Sequence, residues 1–134
     1  MLPLRFPRLW LSLGWLAVGL AIVVCLMPTD RLPLPSSLSD KSEHFIGYLL
    51  LSCWFGGIYP RSRYWIIGIG LVVMGVLIEL AQGAMGWGRQ ADVLDVIANS
   101  TGVVAGLLLC WMGLGGWAQR VESVVAFVTG TQKS

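Results

Sequence analysis

Apolar and polar positions divide the chain into four long hydrophobic runs separated by short polar breaks. The first run extends from Leu9 to Met27. At about 1.5 Å per residue, a helix of that length reaches close to 30 Å, the thickness of the bilayer hydrocarbon. Pro28, Pro33 and Pro35 interrupt it, and residues 28–39 form a short polar loop. The second run goes from Asp40 to about Tyr59, and Pro60, Arg61, Ser62 and Arg63 make a basic turn. The third covers Tyr64 to about Gln82. Gly83, Gly86 and Gly88 mark the next loop, with Trp87 as an interfacial anchor. The fourth covers Asp92 to about Leu114, where Gly113, Gly115 and Gly116 end it. From Trp117 to Val128, apolar residues at 117, 121, 124, 125 and 128 recur at helical spacing, with Gln119, Arg120, Glu122 and Ser123 between them. That pattern predicts an amphipathic helix on a membrane surface, too short and too charged for a fifth span.

Composition supports the same architecture. Of 134 residues, 56% are hydrophobic and 12% charged, and the mean hydropathy is +0.75. Ordinary soluble domains carry roughly a quarter charged residues. The expected fold class is therefore all-α integral membrane: about four transmembrane helices in a bundle over residues 1–116, and an amphipathic cytoplasmic tail over 117–134. Arg5 and Arg8 precede the first run, which is too long for a usual signal-peptide core and is followed by no A-x-A site. An uncleaved first helix is expected. The net charge of +2 comes with no basic stripe, which argues against nucleic acid as a partner. With four spans, Arg5, Arg8, Arg61, Arg63, Arg120 and Lys133 fall on one side, and Arg31, Lys41 and Arg89 on the other. The positive-inside rule then puts both termini in the cytoplasm. Cys25, Cys53 and Cys110 each lie within an apolar run and read as small buried hydrophobes.

Three predicted helix ends meet the outer face, and each carries polar residues. The second run opens with Asp40, Lys41, Glu43 and His44; Asp40, His44 and Tyr48 share one helical face. The third closes with Glu79 and Gln82, with Gly75 extending that face inward. The loop supplies Arg89, and the fourth run opens with Asp92, Asp95 and Asn99. Glu79 is the sharpest of these, because a charge at the end of an apolar helix costs several kcal/mol unless it turns inward and finds partners. The outer ends of the second, third and fourth helices are expected to converge around it, the first helix contributing packing alone. His44, Glu79 and Asp95 are the candidates for catalysis. Asp40, Lys41, His44, Tyr48, Glu79, Gln82, Arg89, Asp92, Asp95 and Asn99 are the candidates for ligand binding.

Simpler roles stand beside these. Asp40 with Glu43, and Asp92 with Asp95, have the spacing of helix caps. Asn99 suits an interhelical hydrogen bond, His44 and Tyr48 suit packing, and Lys41 and Arg89 suit snorkelling to lipid phosphates. Ala98, Gly102, Gly106 and Cys110 recur every four residues and form a small-residue ladder for close helix approach, in the bundle or in a dimer. No nucleophile–base pattern, HExxH or phosphate loop is present, and no cofactor is implied. No cysteine or histidine spacing marks a metal site. The available groups can abstract a proton, hold a divalent ion or grip a headgroup.

The order and spacing of these groups resemble the VanZ-like membrane protein family. Asp40-Lys41, His44-Phe45 and Tyr48 carry the first part of the resemblance, and Glu79 with Gln82 the second. Gly88-Arg89, then Asp92, Asp95, Asn99 and Gly102, carry the strongest part. The resemblance covers about residues 40 to 110 and implies a bacterial inner-membrane protein of the cell envelope. The family's namesake is associated with resistance to the glycopeptide teicoplanin.

Three readings follow. In the first, an outward-facing pocket binds or processes a lipid-linked or cell-wall-related headgroup, with Lys41 and Arg89 holding anionic groups and Glu79 or Asp95 acting as base or ligand. In the second, the polar cluster locks the bundle of a non-enzymatic accessory subunit. The third, proton- or ion-coupled transport, requires oligomerisation. Membrane lipids, a lipid-linked precursor and a homo- or hetero-oligomeric partner are the partners these readings imply.

Overall fold

The computed structural model describes residues 1–27, 40–85 and 91–130, Asp40 by its backbone alone. Among the described residues the chain is all-helical, with five α-helices and no strand. They are α1 (Pro7–Leu26), α2 (Asp40–Ile58), α3 (Tyr64–Met85), α4 (Val93–Leu109) and α5 (Trp117–Val128). A 3-10 turn, Arg61–Arg63, leads into α3, and a π turn, Cys110–Leu114, follows α4. Three segments are long and apolar enough to cross a membrane: Pro7–Leu26, Arg61–Met85 and Val93–Leu114. On that ground the chain is a membrane protein. The predicted loop over 28–39, and residues 86–90 of the loop predicted over 83–91, lie outside the described residues.

Two boundaries differ from the sequence expectation. α1 begins at Pro7, whose fixed φ and missing N–H suit a first helical turn. α3 continues past Gln82 to Met85. Gly83 does not stop it, and the bare backbone there lies against Ala91, which a Cβ would approach to 3.1 Å.

α2 and α4 form the most extensive helix pair. They run parallel: Lys41 meets Asp92 at one end, and Cys53 meets Gly106 and Cys110 towards the other. The small-residue ladder makes this packing close. A Cβ on Gly106 would lie 2.6 Å from the Leu49 carbonyl, and one on Gly102 would strike the Phe45 carbonyl. The ladder is therefore used within the chain, against α2. The core is built from Val18, Tyr48, Leu51, Phe55, Ile58, Leu71 and Val103. α2 is central in this core, so it can carry polar residues that the flanking helices shield.

The opposite end is closed by three indoles. Trp10, Trp54 and Trp117 stack with centroids 5.1–5.8 Å apart. Each N–H is satisfied: Trp54 donates to the Trp10 carbonyl, Trp117 to the Cys53 carbonyl and Trp10 to Glu122. Gly113 (φ 152°) and Gly116 (φ 72°) turn the chain from α4 into α5 through backbone conformations that favour glycine. Trp117, expected on a membrane-facing stripe, packs inward instead, and Ala118 is fully buried. The rest of the stripe, Val121, Val124, Val125 and Val128, is exposed, as is Phe127. Glu122 accepts from the backbone N–H groups of Arg5 and Phe6 at 2.6 and 2.9 Å. Burial pushes its carboxyl up, but those two hydrogen bonds, that of Trp10 and the Arg5 charge outweigh it and hold the pKa below the usual 4.5.

Gly102→Ala and Gly106→Ala should each destabilise the protein by about 1–3 kcal/mol through overpacking. Gly19→Ala, with nothing within 4 Å of its Cβ, should be neutral or stabilising. Thermal unfolding in detergent checks this, and equal effects at all three positions would contradict the packing.

A lowered folded-state pKa at Glu122 means its contribution is fully present above 4.5. It is lost as pH falls through the lower, folded value. Acid titration of tryptophan fluorescence should show the indole cluster loosening in that range. Glu122→Gln should remove the acid-side step.

Candidate functional site

The α2 and α4 N-termini and the C-terminal part of α3 meet at the end of the bundle away from the indoles. α3 turns Leu71, Gly75, Ile78, Glu79 and Gln82 inward, while Val73, Val76, Leu77 and Leu80 face outward. Glu79 is only 3% exposed. It therefore lies on the interior face, as an ionisable group at the end of an apolar helix requires.

α2 brings His44 and α4 brings Asp95 to the same place. One ligand atom from each of His44, Glu79 and Asp95 falls within 4.8 Å of the others, and all three residues are buried. His44 Nε2 lies 3.8 Å from Asp95 Oδ2. Its other ring nitrogen, Nδ1, is 3.1 Å from Asn99 Oδ1. With Asn99 Oδ1 accepting, Nδ1 carries a proton, and Nε2 faces the carboxylates. Asp92 N–H donates to Glu79 Oε2 at 3.1 Å, joining the start of α4 to the end of α3.

Lys41 binds the rim. Its ammonium is 2.8 Å from Asp92 Oδ2 and 3.4 Å from Asp95 Oδ1. Asp92 is also the N-cap of α4, accepting from Leu94 N–H at 2.8 Å. The Lys41 ammonium first, and then the Leu94 N–H, hold the Asp92 carboxyl below the usual carboxylate range. The capping and site roles thus coincide in this residue.

Behind the cluster, α3 is bare at Gly75. A Cβ there would lie 3.2 Å from both Tyr48 OH and Asn99 Nδ2. These two groups are almost fully buried, and neither has a hydrogen-bond partner among the described residues. Buried polar groups left in this state cost about 1–3 kcal/mol each, so the site carries unused donors.

The structure thus brings together Lys41, His44, Tyr48, Glu79, Asp92, Asp95 and Asn99. Gln82 departs from the expectation: its amide nitrogen donates to the Cys25 carbonyl of α1 at 2.6 Å. A buried amide so close to the carbonyls at the α1 C-terminus finds an acceptor there. It follows that α1 contributes a polar tie as well as packing. Lys41 also departs, since two carboxylates engage the ammonium expected to hold anionic groups. Arg89 and the side chain of Asp40 lie outside the described residues. Sequence spacing showed no metal signature because the imidazole and the two carboxylates come from three separate helices.

An apolar groove of about 960 Å³ runs along α1 and α3, lined by Val18, Ile22, Leu71, Met74 and Ile78 among others. No protein-family model, curated protein or solved structure matches the chain.

Asp92→Asn keeps an N-cap acceptor and removes the charge opposite Lys41, an exposed pair that contributes little to stability. Asp92→Ala also loses the cap and should lower the melting temperature further. Thermal unfolding of the two variants separates the contributions, and equal losses would assign the effect to the ion pair.

Proposed function

We propose that this is a VanZ-like bacterial cell-envelope membrane protein. Its polar site binds a headgroup of a lipid-linked or cell-wall-related molecule. The observation that carries this reading is the meeting of buried His44, Glu79 and Asp95 at one end of an apolar bundle, beside Tyr48 OH and Asn99 Nδ2, which have no hydrogen-bond partner among the described residues. Such a set binds ligands with several donors and acceptors. Among the described residues of the site, three carboxylates face one ammonium, which favours amine, amide or hydroxyl donors over a bare phosphate. His44 or Asp95 is the group placed to take a proton from a bound ligand. The groove along α1 and α3 suits an acyl chain.

The family assignment rests on the motif residues, above all Asp92, Asp95, Asn99 and Gly102. We read α2 as a fourth span, because it runs parallel to α4 and is packed along it. Arg5, Arg61, Arg63 and Arg120 lie at the end away from the site, so the positive-inside rule supports cytoplasmic termini and an outward-facing site. The exposed valines of α5 support a helix lying against the cytoplasmic membrane surface.

A second reading, a locked bundle in an accessory subunit, is favoured by the contacts that Asp92, Asp95 and Asn99 already make within the chain. Asp95→Asn separates the two. For a binding site, the variant stays folded and loses the lipid-linked molecule that co-purifies with the wild type, by at least about tenfold, about 1.4 kcal/mol. Mass spectrometry of native preparations measures this. For a lock, unfolding falls by about 3–5 kcal/mol instead.

A further inference from the structure

We propose that His44, Glu79 and Asp95 bind one divalent transition-metal ion of the zinc or manganese type. The inference goes beyond headgroup binding and does not depend on it. Ligands held about 2.0–2.2 Å from a common ion lie up to about 4 Å apart. His44 Nε2 and Asp95 Oδ2 are 3.8 Å apart, too far for a hydrogen bond and well placed for bridging by an ion. All three ligand atoms fall within 4.8 Å, so a small inward movement completes the triad.

The surroundings suit the ligands. Metal-bound histidines commonly donate their second ring N–H to a carbonyl or carboxylate oxygen. His44 Nδ1 faces Asn99 Oδ1 in this way at 3.1 Å. The two oxygens of Asp95 divide their tasks: Oδ1 faces Lys41, and Oδ2 faces the imidazole. Asp92 N–H holds Glu79 Oε2 from outside. An independent observation points the same way. Tyr48 OH and Asn99 Nδ2, both buried and without a hydrogen-bond partner among the described residues, lie against Gly75, one helical turn from Glu79. In the proposed site they would donate to a water or ligand group that completes the coordination of the ion. One imidazole and two carboxylates form a borderline donor set, which selects zinc or manganese over calcium and magnesium. Two carboxylates in a buried site are offset by a dication more fully than by the one rim ammonium found among the described residues.

The test uses the full chain in detergent, stripped with a chelator and titrated with Zn2+, Mn2+ and Co2+. The expected result is about one ion per chain by elemental analysis and a higher melting temperature with Zn2+ or Mn2+. Co2+ should give visible d–d bands without thiolate charge-transfer bands. His44→Gln and Asp95→Asn should each weaken binding by more than about tenfold. The wild-type spectrum alone keeps the proposal falsifiable if a variant fails to fold. No stoichiometric binding, thiolate bands marking Cys25, Cys53 or Cys110, or unchanged affinity in folded variants would each overturn it.

Discussion

Two buried carboxylates at the mouth of an apolar bundle, Glu79 and Asp95, need compensation that lipid cannot give, and the packing of α2 against α4 supplies it. The two helices run parallel, so both N-termini arrive at the carboxylates. Each brings a partial positive charge of about half a unit and N–H groups without intrahelical acceptors. Asp92 N–H on Glu79 is one such group put to use. The arrangement requires close approach of the helices, which is why Gly102 and Gly106 face the Phe45 and Leu49 carbonyls with no side chain between.

The two ends of the bundle have opposite characters. At the indole end, the polar atoms of Trp10, Trp54 and Trp117 find acceptors, and Glu122 joins the N-terminal segment to α5. This end is anchored by aromatic area and satisfied hydrogen bonds. At the carboxylate end, Tyr48 OH and Asn99 Nδ2 have no partner among the described residues. The polar side chains are satisfied at one end, while the other holds buried donors without a partner among the described residues.

The site's charge balance shapes what it can hold. Lys41 spans Asp92 and Asp95 and balances their charge, so its ammonium is already engaged by carboxylates of the chain itself. His44 lies deeper, between Asn99 and the carboxylates, where its two ring nitrogens face different chemistry. Among the described residues of the site, three carboxylates thus face one ammonium.

Much of the fold was legible in the chain. Apolar runs of membrane-spanning length, broken by Pro28, Pro60 and the glycines after Gln82, determine helices of about that length, because backbone polar groups in lipid are satisfied within a helix. Helical periodicity put Asp95 with Asn99 and Glu79 with Gly75 on shared faces, since 3.6 residues per turn is a local property. Contacts between separate helices were decided by tertiary structure. The rotation of α3 sends Gln82 to α1 while Glu79 joins α2 and α4, although the two are only three residues apart. The same holds for Trp117, which periodicity assigned to a membrane-facing stripe and packing turned inward on Trp10 and Trp54. Local sequence determines which residues share a helix face. Which neighbour that face meets is set by the fit of ridges, glycines and indoles across the whole bundle.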